Sequence, residues 1–245
     1  MIVVLENHSF GEVLGQPDAP FLSGLAASGA VLTQSYAVSH PSEPNYLALF
    51  SGSTQGVTSD ACPLSFGAPN LASALFAAGR TFAGYAEGLP STGYTGCSYD
   101  GYARKHAPWV DFPNVPAAAS LPMTAFPSDY SRLPTVSFVV PDLADDMHDG
   151  SRAQADAWLS EHLGGFVRWA PTHDSQLVVT TDEDDYSANN RIATLIVGAH
   201  VRPGSYAQRV DHYSVLRWIE STYGLPLLGL SAAAAPVPPA IWTQS

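Results

Sequence analysis

Short apolar runs along this chain end abruptly in polar and acidic residues. The run at residues 1–5 is β-branched and is followed directly by Glu6 and Asn7. The run at residues 176–181 ends in the same way, in the four carboxylates at 182–185. Runs of this length and composition predict buried strands of an α/β sheet, whose carboxyl ends are where such folds place their ligands.

A third run, at residues 135–140, leads into an acidic segment at 145–150 that holds His148 and Asp149. Solvated acidic turns are common after strands, and each exit alone is compatible with a plain polar loop. Three such exits in one chain nevertheless predict a shared site for a metal and an anion. Carboxylate and amide oxygens are hard donors, which Mg²⁺, Ca²⁺ or Mn²⁺ prefers.

Helix-like and strand-like segments alternate between these runs. The pattern predicts helices at 21–28, 70–78, 151–163 and 213–223, and strands at 31–36, 81–85 and 192–197. This alternation predicts a single α/β domain over residues 1–245, with a mainly parallel central sheet and helices on both faces. The Ala- and Pro-rich segment 232–239 predicts an irregular C-terminal tail.

The segment at residues 39–46 predicts the start of a helix. Tyr46 and Phe50 fall at helical spacing, Pro44 suits a first turn, and Ser42 is predicted as the N-cap. The positive end of a helix stabilises a phosphate and helps a serine alkoxide to form. Ser42 is therefore the candidate nucleophile, and a simple capping serine is the alternative.

Composition and charge limit the partners of this chain. Its 245 residues are 46% hydrophobic, enough for a full core, and no apolar stretch approaches the ~20 residues that span a bilayer. A net charge of −12 with Lys105 as the single lysine makes nucleic acid an unexpected partner. The basic segment 104–106 is either an ordinary surface turn or a contact for an anionic substrate.

Two cysteines, Cys62 and Cys97, lie in loop-like sequence rich in Gly, Ser and Pro. Two loop cysteines fit a disulfide better than buried thiols. A disulfide predicts a secreted or extracytoplasmic protein, although this sequence opens on a strand and shows no signal peptide.

Five motifs in order, together covering most of the chain, resemble the bacterial phosphoesterase family. They lie at residues 6–10, 39–46, 145–150, 181–185 and 211–214. The family groups acid phosphatases with phospholipases C of the phosphatidylcholine type and belongs to the alkaline phosphatase superfamily. Through its segments 104–109 and 148–150 the chain is similar, more narrowly, to short secreted actinobacterial acid phosphatases that act on phosphoinositide monophosphates.

The resemblance implies a role for each matched residue. One divalent metal would be held by Glu6, Asn7, Asp182, Glu183 and Ser42. Ser42 would also be the nucleophile, and the catalytic histidines that contact the phosphoryl oxygens would be His106 and His148. Further substrate contacts would come from Asn7, His40, Lys105, Asp149 and His212.

Two details qualify these assignments. The family usually has an aromatic residue where this chain has Thr181, which affects the packing around the metal more than the ligands. From the pattern alone, Asp211 is a helix N-cap and His212 is partly exposed, whereas the family motif makes His212 a neighbour of the site.

The resemblance implies an alkaline-phosphatase-like fold and a metal-dependent phosphomonoesterase that acts through a phosphoserine. Its substrate would be a small phosphorylated molecule or a phosphoinositide headgroup. Two alternatives stay open: a phosphodiesterase of the phospholipase C type, and a secreted metal-binding protein without catalytic activity. Metal identity and oligomeric state are not determined by the sequence.

Overall fold

The computed structural model describes residues 1–243. The strands are β1 (Ile2–Leu5), β2 (Ala30–Tyr36), β3 (Phe82–Ala86), β4 (Ser98–Tyr99), β5 (Tyr102–Ala103), β6 (Ser120–Pro122), β7 (Val136–Val140), β8 (Gln176–Thr181), β9 (Arg191–Ile192), β10 (Thr194–Gly198) and β11 (Gly204–Asp211). The helices are α1 (Phe10–Val13), α2 (Pro20–Ser28), α3 (Ser42–Ser51), α4 (Leu71–Ala77), α5 (Arg152–Trp169) and α6 (His212–Tyr223). Short 3₁₀ turns join several of these elements.

Most predicted elements are confirmed within one or two residues, and two differ more. Helix α5 continues to Trp169 instead of ending at residue 163, because Phe166 extends its buried face by another turn. The predicted strand 192–197 is divided at Ala193 into β9 and β10; both pair with β2, and β10 also pairs with β8. Strand β11 was not predicted, since most of its residues are exposed and it lacks an apolar run.

The chain divides into two compact units, and neither is a continuous stretch of sequence. The first unit comprises residues 1–37, 143–209 and those from 238 onward, and the second comprises 38–142 and 210–237. A single domain over residues 1–245 stays a prediction.

In the first unit, the strands follow the order β11, β2, β10, β8, β1. Strand β1 is parallel to β8, whereas β10 runs antiparallel to both β8 and β2. Helix α2 packs against α5 and β10. The β-branched and leucine side chains of β1 and β8 are buried, as their apolar pattern predicts.

In the second unit, β3 is parallel to both β6 and β7, and α3 packs against α6. An aromatic cluster fills its core: the ring of Phe50 lies 5.4 Å from Phe82, 5.6 Å from Phe112 and 5.7 Å from Phe138. Trp109 joins this cluster at 6.3 Å from Phe82. These contacts hold the chain around residues 104–112 against α3.

Candidate active site

The carboxyl ends of β1 and β8 lie side by side in the first unit. Leu5 pairs with Thr181 in parallel register, so the following residues, Glu6 and Asp182, leave the sheet at one edge. The backbone N–H of Asn7 donates to Oδ1 of Asp182 over 3.0 Å. Asn7 has a φ of 55°, a left-handed conformation that asparagine tolerates better than most residues. The predicted convergence of these two strand exits is confirmed.

The four consecutive carboxylates after β8 have different surroundings. Asp184 is buried and accepts three backbone hydrogen bonds from the loop that follows. The donors are the N–H groups of Tyr186, Ala188 and Asn190. Asp185 is exposed, whereas Asp182 and Glu183 are buried directly at the strand end. Asp184 therefore shapes the loop, and the first two carboxylates are the ones that suit the predicted role as ligands.

Asp146 is a fully buried carboxylate that the sequence does not distinguish from Asp145. Its carbonyl oxygen accepts the N–H of Glu6 and its Oδ1 accepts the N–H of His148, each over 2.8 Å. A carboxylate oxygen of Asp146 lies within 4.8 Å of one of Glu6. Met147 turns the chain between these contacts with a φ of 82°. Asp146 therefore ties the loop that carries His148 to the end of β1.

His148 and Asp149 lie on the outer part of this loop. Nδ1 of His148 is 2.7 Å from Oδ1 of Asp149, whose side chain is exposed, while His148 is partly exposed. The loop closes tightly at Gly150, where a Cβ atom would lie 1.8 Å from the carbonyl oxygen of Ala144. The motif therefore requires glycine for a steric reason, and it leaves His148 accessible to a substrate.

The buried carboxylates of the first unit are of the type that suits a hard divalent cation. Glu6, Asp146, Asp182 and Glu183 offer carboxylate oxygens, and each residue is at most 3% exposed. Several buried anions are costly unless cations, protons or a metal compensate for their charge. Oxygen donors of this kind suit Mg²⁺, Ca²⁺ or Mn²⁺.

In the second unit, Ser42 is the first residue of α3 and not its cap. Pro41 is the N-cap, because its extended backbone (φ −79°, ψ −161°) already meets the requirement of that position. Asn45 holds the preceding turn by accepting the N–H groups of Val38 and Ser39 at 3.0 and 3.1 Å. The prediction of Ser42 as N-cap is wrong by one residue. The predicted position of Ser42 at the positive end of a helix is confirmed, and the residue is buried there.

His106 lies against the first turn of α3. It belongs to the 3₁₀ turn Arg104–His106 and is 1% exposed. Its ring stacks on that of Tyr46, with centroids 5.1 Å apart and an interplanar angle of 11°. Tyr46 follows Ser42 by four residues, so both project from one face of the helix. His106 therefore lies beside the helix start that carries Ser42.

Two other predicted substrate contacts lie in the same unit. The ammonium group of Lys105 donates to Oδ2 of Asp60 over 2.9 Å and is mostly covered. His40 is partly exposed in the turn that precedes α3. Lys105 directly precedes His106 in the sequence, and His40 lies two residues before Ser42. Contact of either residue with a substrate stays a prediction.

His212 begins α6, which packs against α3. The predicted cap is confirmed, since Oδ1 of Asp211 accepts the N–H of Ser214 over 2.9 Å. The predicted partial exposure of His212 is wrong, because packing of the helix start leaves the residue 1% exposed. Its role as a neighbour of the site stays a prediction.

A buried acid pair, Glu43 and Asp111, adjoins the helix start and was missed from the sequence, which carries no local signal for it. Burial and the charge of Asp111 raise the pKa of Glu43 to about 8. Burial also raises the pKa of Asp111, to about 6, although Arg104 opposes this shift. Nε of Arg104 donates to Oδ1 of Asp111 over 2.9 Å. The pair therefore holds a proton near neutral pH, and this proton resides on Glu43 because Arg104 favours the anionic form of Asp111.

The predicted disulfide between Cys62 and Cys97 is confirmed. It closes the stretch of chain that leads to the basic segment 104–106. Within residues 1–243, none of the helices combines the length and the apolar character that crossing a bilayer requires.

Comparison with known proteins identifies close relatives and a shared fold. A phosphatidylinositol-3-phosphatase of Mycobacterium tuberculosis is 54% identical over 97% of this chain and 80% of its own length. A phosphate-repressible acid phosphatase of Penicillium chrysogenum is 32% identical over 85% of this chain, which spans only 55% of that protein. The crystal structure of a Vibrio parahaemolyticus protein of the alkaline phosphatase superfamily matches 97% of this chain and 69% of its own, with 16% identity and a TM-score of 0.64.

These findings confirm three predictions made from the sequence: the fold, the enzyme class and the family. The structural likeness confirms the alkaline-phosphatase-like α/β fold with a mixed, mostly parallel sheet. The phosphatases among the relatives confirm the predicted enzyme class, a phosphoric monoester hydrolase. The sequence profile of the Phosphoesterase family matches residues 14–226, which is most of the chain. The chain therefore belongs to the Phosphoesterase family.

Proposed function

We propose that this chain is a phosphatase of the acid phosphatase type that forms a phosphoserine on Ser42 and depends on a divalent metal. One observation carries the proposal: a buried serine begins a helix, and a buried histidine, His106, is stacked beside the same turn. We further propose a phosphoinositide monophosphate headgroup as a substrate, since the 54% identical relative is named a phosphatidylinositol-3-phosphatase.

In the proposed first step, the hydroxyl oxygen of Ser42 attacks phosphorus in line with the ester oxygen and gives up its proton to solvent. The bond from phosphorus to the ester oxygen breaks, and the alcohol leaves after taking up a proton from solvent. In the second step, water attacks the phosphoserine and releases inorganic phosphate, which restores the hydroxyl group. The helix N–H groups, His106 and His148 stabilise the negative charge on the equatorial oxygens. Further contacts to the substrate come from Asn7, His40, Lys105, Asp149 and His212.

The proposed metal ligands are Glu6, Asn7, Asp182, Glu183 and Ser42. A hard divalent cation bound there would lower the pKa of the serine hydroxyl and would offset the charge of the phosphate. The buried oxygen donors at the ends of β1 and β8 support this assignment. Mg²⁺, Ca²⁺ and Mn²⁺ all suit donors of this type.

We also propose that the protein works in an oxidising, extracytoplasmic compartment. The Cys62–Cys97 disulfide supports this location, since structural disulfides persist where thiols are not kept reduced.

One assay distinguishes the three candidate functions: phosphomonoesterase, phosphodiesterase and non-catalytic metal-binding protein. The metal-loaded protein is given p-nitrophenyl phosphate, p-nitrophenylphosphorylcholine and a phosphoinositide monophosphate in detergent micelles, and released nitrophenol or phosphate is measured. We expect turnover of the first and third compounds. Turnover of the phosphorylcholine ester alone would indicate a phospholipase C type of phosphodiesterase. Stoichiometric metal without turnover of any compound would indicate a metal-binding protein.

A further inference from the structure

Two hydrogen-bonded bridges join the start of α3 to the segment that carries His106. In the first bridge, Asp60 uses both carboxylate oxygens. Its Oδ1 accepts the backbone N–H of Glu43 over 3.0 Å, and its Oδ2 accepts the ammonium of Lys105 over 2.9 Å. One carboxylate therefore links the first turn of the helix to the residue next to His106.

The second bridge runs through the acid pair of Glu43 and Asp111, which are at most 2% exposed. Oε2 of Glu43 and Oδ2 of Asp111 are buried, and neither meets an N–H or O–H group of another residue in the described part of the chain. The two carboxyl groups instead hydrogen-bond to each other, as two buried carboxyl groups in contact do when they share one proton. The guanidinium of Arg104 holds the other oxygen of Asp111 at 2.8 and 2.9 Å.

Arg104 also anchors this bridge in the loop that the disulfide closes. Its side chain donates to the carbonyl oxygens of Thr95 and Leu64 over 2.6 and 2.8 Å. Its backbone N–H donates to the carbonyl oxygen of Cys97 over 3.0 Å. Leu64 and Thr95 each lie two residues from a cysteine of the Cys62–Cys97 bond. The guanidinium, on a residue that is 6% exposed, thus ties the covalently closed loop to the segment of His106.

We propose that Glu43, Asp111 and Arg104 are positioning residues that hold His106 at a fixed distance from Ser42. This inference rests on the proposed function, in which Ser42 attacks phosphorus and His106 contacts the phosphoryl oxygens. A misplacement of about 1 Å between groups that act together in a transition state lowers a rate on the order of 100-fold. A buried, doubly anchored bridge restricts such displacement more than the ring stacking of His106 alone.

A double-mutant cycle tests this proposal. Asp111→Ala is made in the parent protein and in His106→Ala, and kcat and KM for p-nitrophenyl phosphate are measured. If Asp111 acts through His106, its loss lowers kcat about 10- to 100-fold in the parent with little change in KM. In His106→Ala the same substitution lowers kcat by less than about 3-fold, because its target is already absent.

A conservative variant at Glu43 provides a second test that holds even if Asp111→Ala does not fold. The amide of Glu43→Gln donates an N–H to Asp111 as the protonated carboxyl does, so kcat stays within about 3-fold of the parent. Glu43→Ala leaves Asp111 without this donor, and it lowers kcat as Asp111→Ala does.

The matched control is Glu220→Ala, which removes another buried carboxylate from the same unit. Glu220 accepts hydrogen bonds from Leu228 and Ser231, away from the 104–106 segment. Glu220→Ala lowers Tm and leaves kcat unchanged at temperatures well below that Tm. In His106→Ala it likewise leaves kcat unchanged, so the double variant has the kcat of His106→Ala.

Two outcomes would overturn the positioning role: multiplicative effects of Asp111→Ala and His106→Ala on kcat, or equal kcat for the Gln and Ala variants of Glu43. Full activity of Ser42→Ala would instead reject the proposed function itself, so the two failures are distinguishable.

Discussion

Ser42 and Asn70 both stand at a helix start, and only Asn70 is a cap. Its Oδ1 accepts the backbone N–H of Ser73 over 2.9 Å, at the predicted beginning of α4. Ser42 lies inside α3, where Pro41 already occupies the cap position. The two residues therefore separate the effect of losing a cap from the effect of losing a nucleophile.

Ser42→Ala should fold with nearly unchanged secondary structure and lose activity by several orders of magnitude, because no covalent route remains. Turnover of p-nitrophenyl phosphate and circular dichroism measure these two effects. In the control, Asn70→Ala should lose about 0.5–2 kcal/mol of unfolding free energy and keep its turnover. Retention of more than about a tenth of the parent rate by purified, metal-loaded Ser42→Ala would show that the serine is not the nucleophile.

At the scale of elements, α6 shows how a buried carboxylate fixes the end of a helix. The helix stops at Gly224, whose φ of 64° is the left-handed conformation typical of a helix C-terminus. Oε1 of Glu220 accepts the N–H of Leu228 over 3.0 Å, and Oε2 accepts the hydroxyl of Ser231 over 2.6 Å. These bonds hold the chain that follows against the last turn. Burial raises the pKa of Glu220 above its ordinary value of 4.5.

The raised pKa of Glu220 predicts a pH dependence of stability. Since the folded chain binds this proton more tightly than the unfolded chain, the stabilisation is complete below the ordinary pKa and is lost as pH rises through the folded pKa. Urea unfolding of the parent protein and of Glu220→Gln from about pH 4 to about pH 8 measures this effect. The parent should lose unfolding free energy relative to the variant as pH rises. Parallel curves for the two proteins would contradict the prediction.

At the scale of the whole molecule, the proposed chemistry draws on residues from both units. The proposed carboxylate ligands Glu6, Asp182 and Glu183 belong to the first unit, and the proposed nucleophile Ser42 and His106 belong to the second. Action of both groups on one phosphate stays a prediction, and removal of the metal tests it in the intact protein.

Chelation should abolish turnover and lower Tm. A ligand that binds only the folded state adds about 2.7 kcal/mol to the free energy of unfolding when its free concentration is one hundred times its Kd. Metal analysis, activity and thermal unfolding before and after EDTA dialysis test this. Asp182→Asn should lose the metal-dependent shift in Tm. Asp156→Asn should keep it, since Asp156 is a buried carboxylate of the same unit that caps α2 through the N–H groups of Phe21 and Leu22. Full activity with no bound metal would exclude metal dependence.

The sequence by itself determined features that depend on neighbours along the chain. The β-branched runs before Glu6 and Asp182 predicted strands, because a strand buried on both faces leaves a short continuous apolar run in the sequence. The helix cap Asp211 was readable for the same reason, since a cap bonds to a backbone group only three residues away. Once parallel pairing was assumed, the meeting of the two acidic strand ends followed.

Only the tertiary structure decided which polar residues are buried and what they contact. Asp146 and Asp111 resemble ordinary acidic loop residues in the sequence, yet packing from distant segments buries both. The antiparallel pairing of β10, the continuation of α5 to Trp169 and the stacking of His106 on Tyr46 likewise depend on partners far along the chain. A local pattern records the period of a helix or strand. It does not record which surface covers that element, and burial and the resulting pKa shifts arise from that surface.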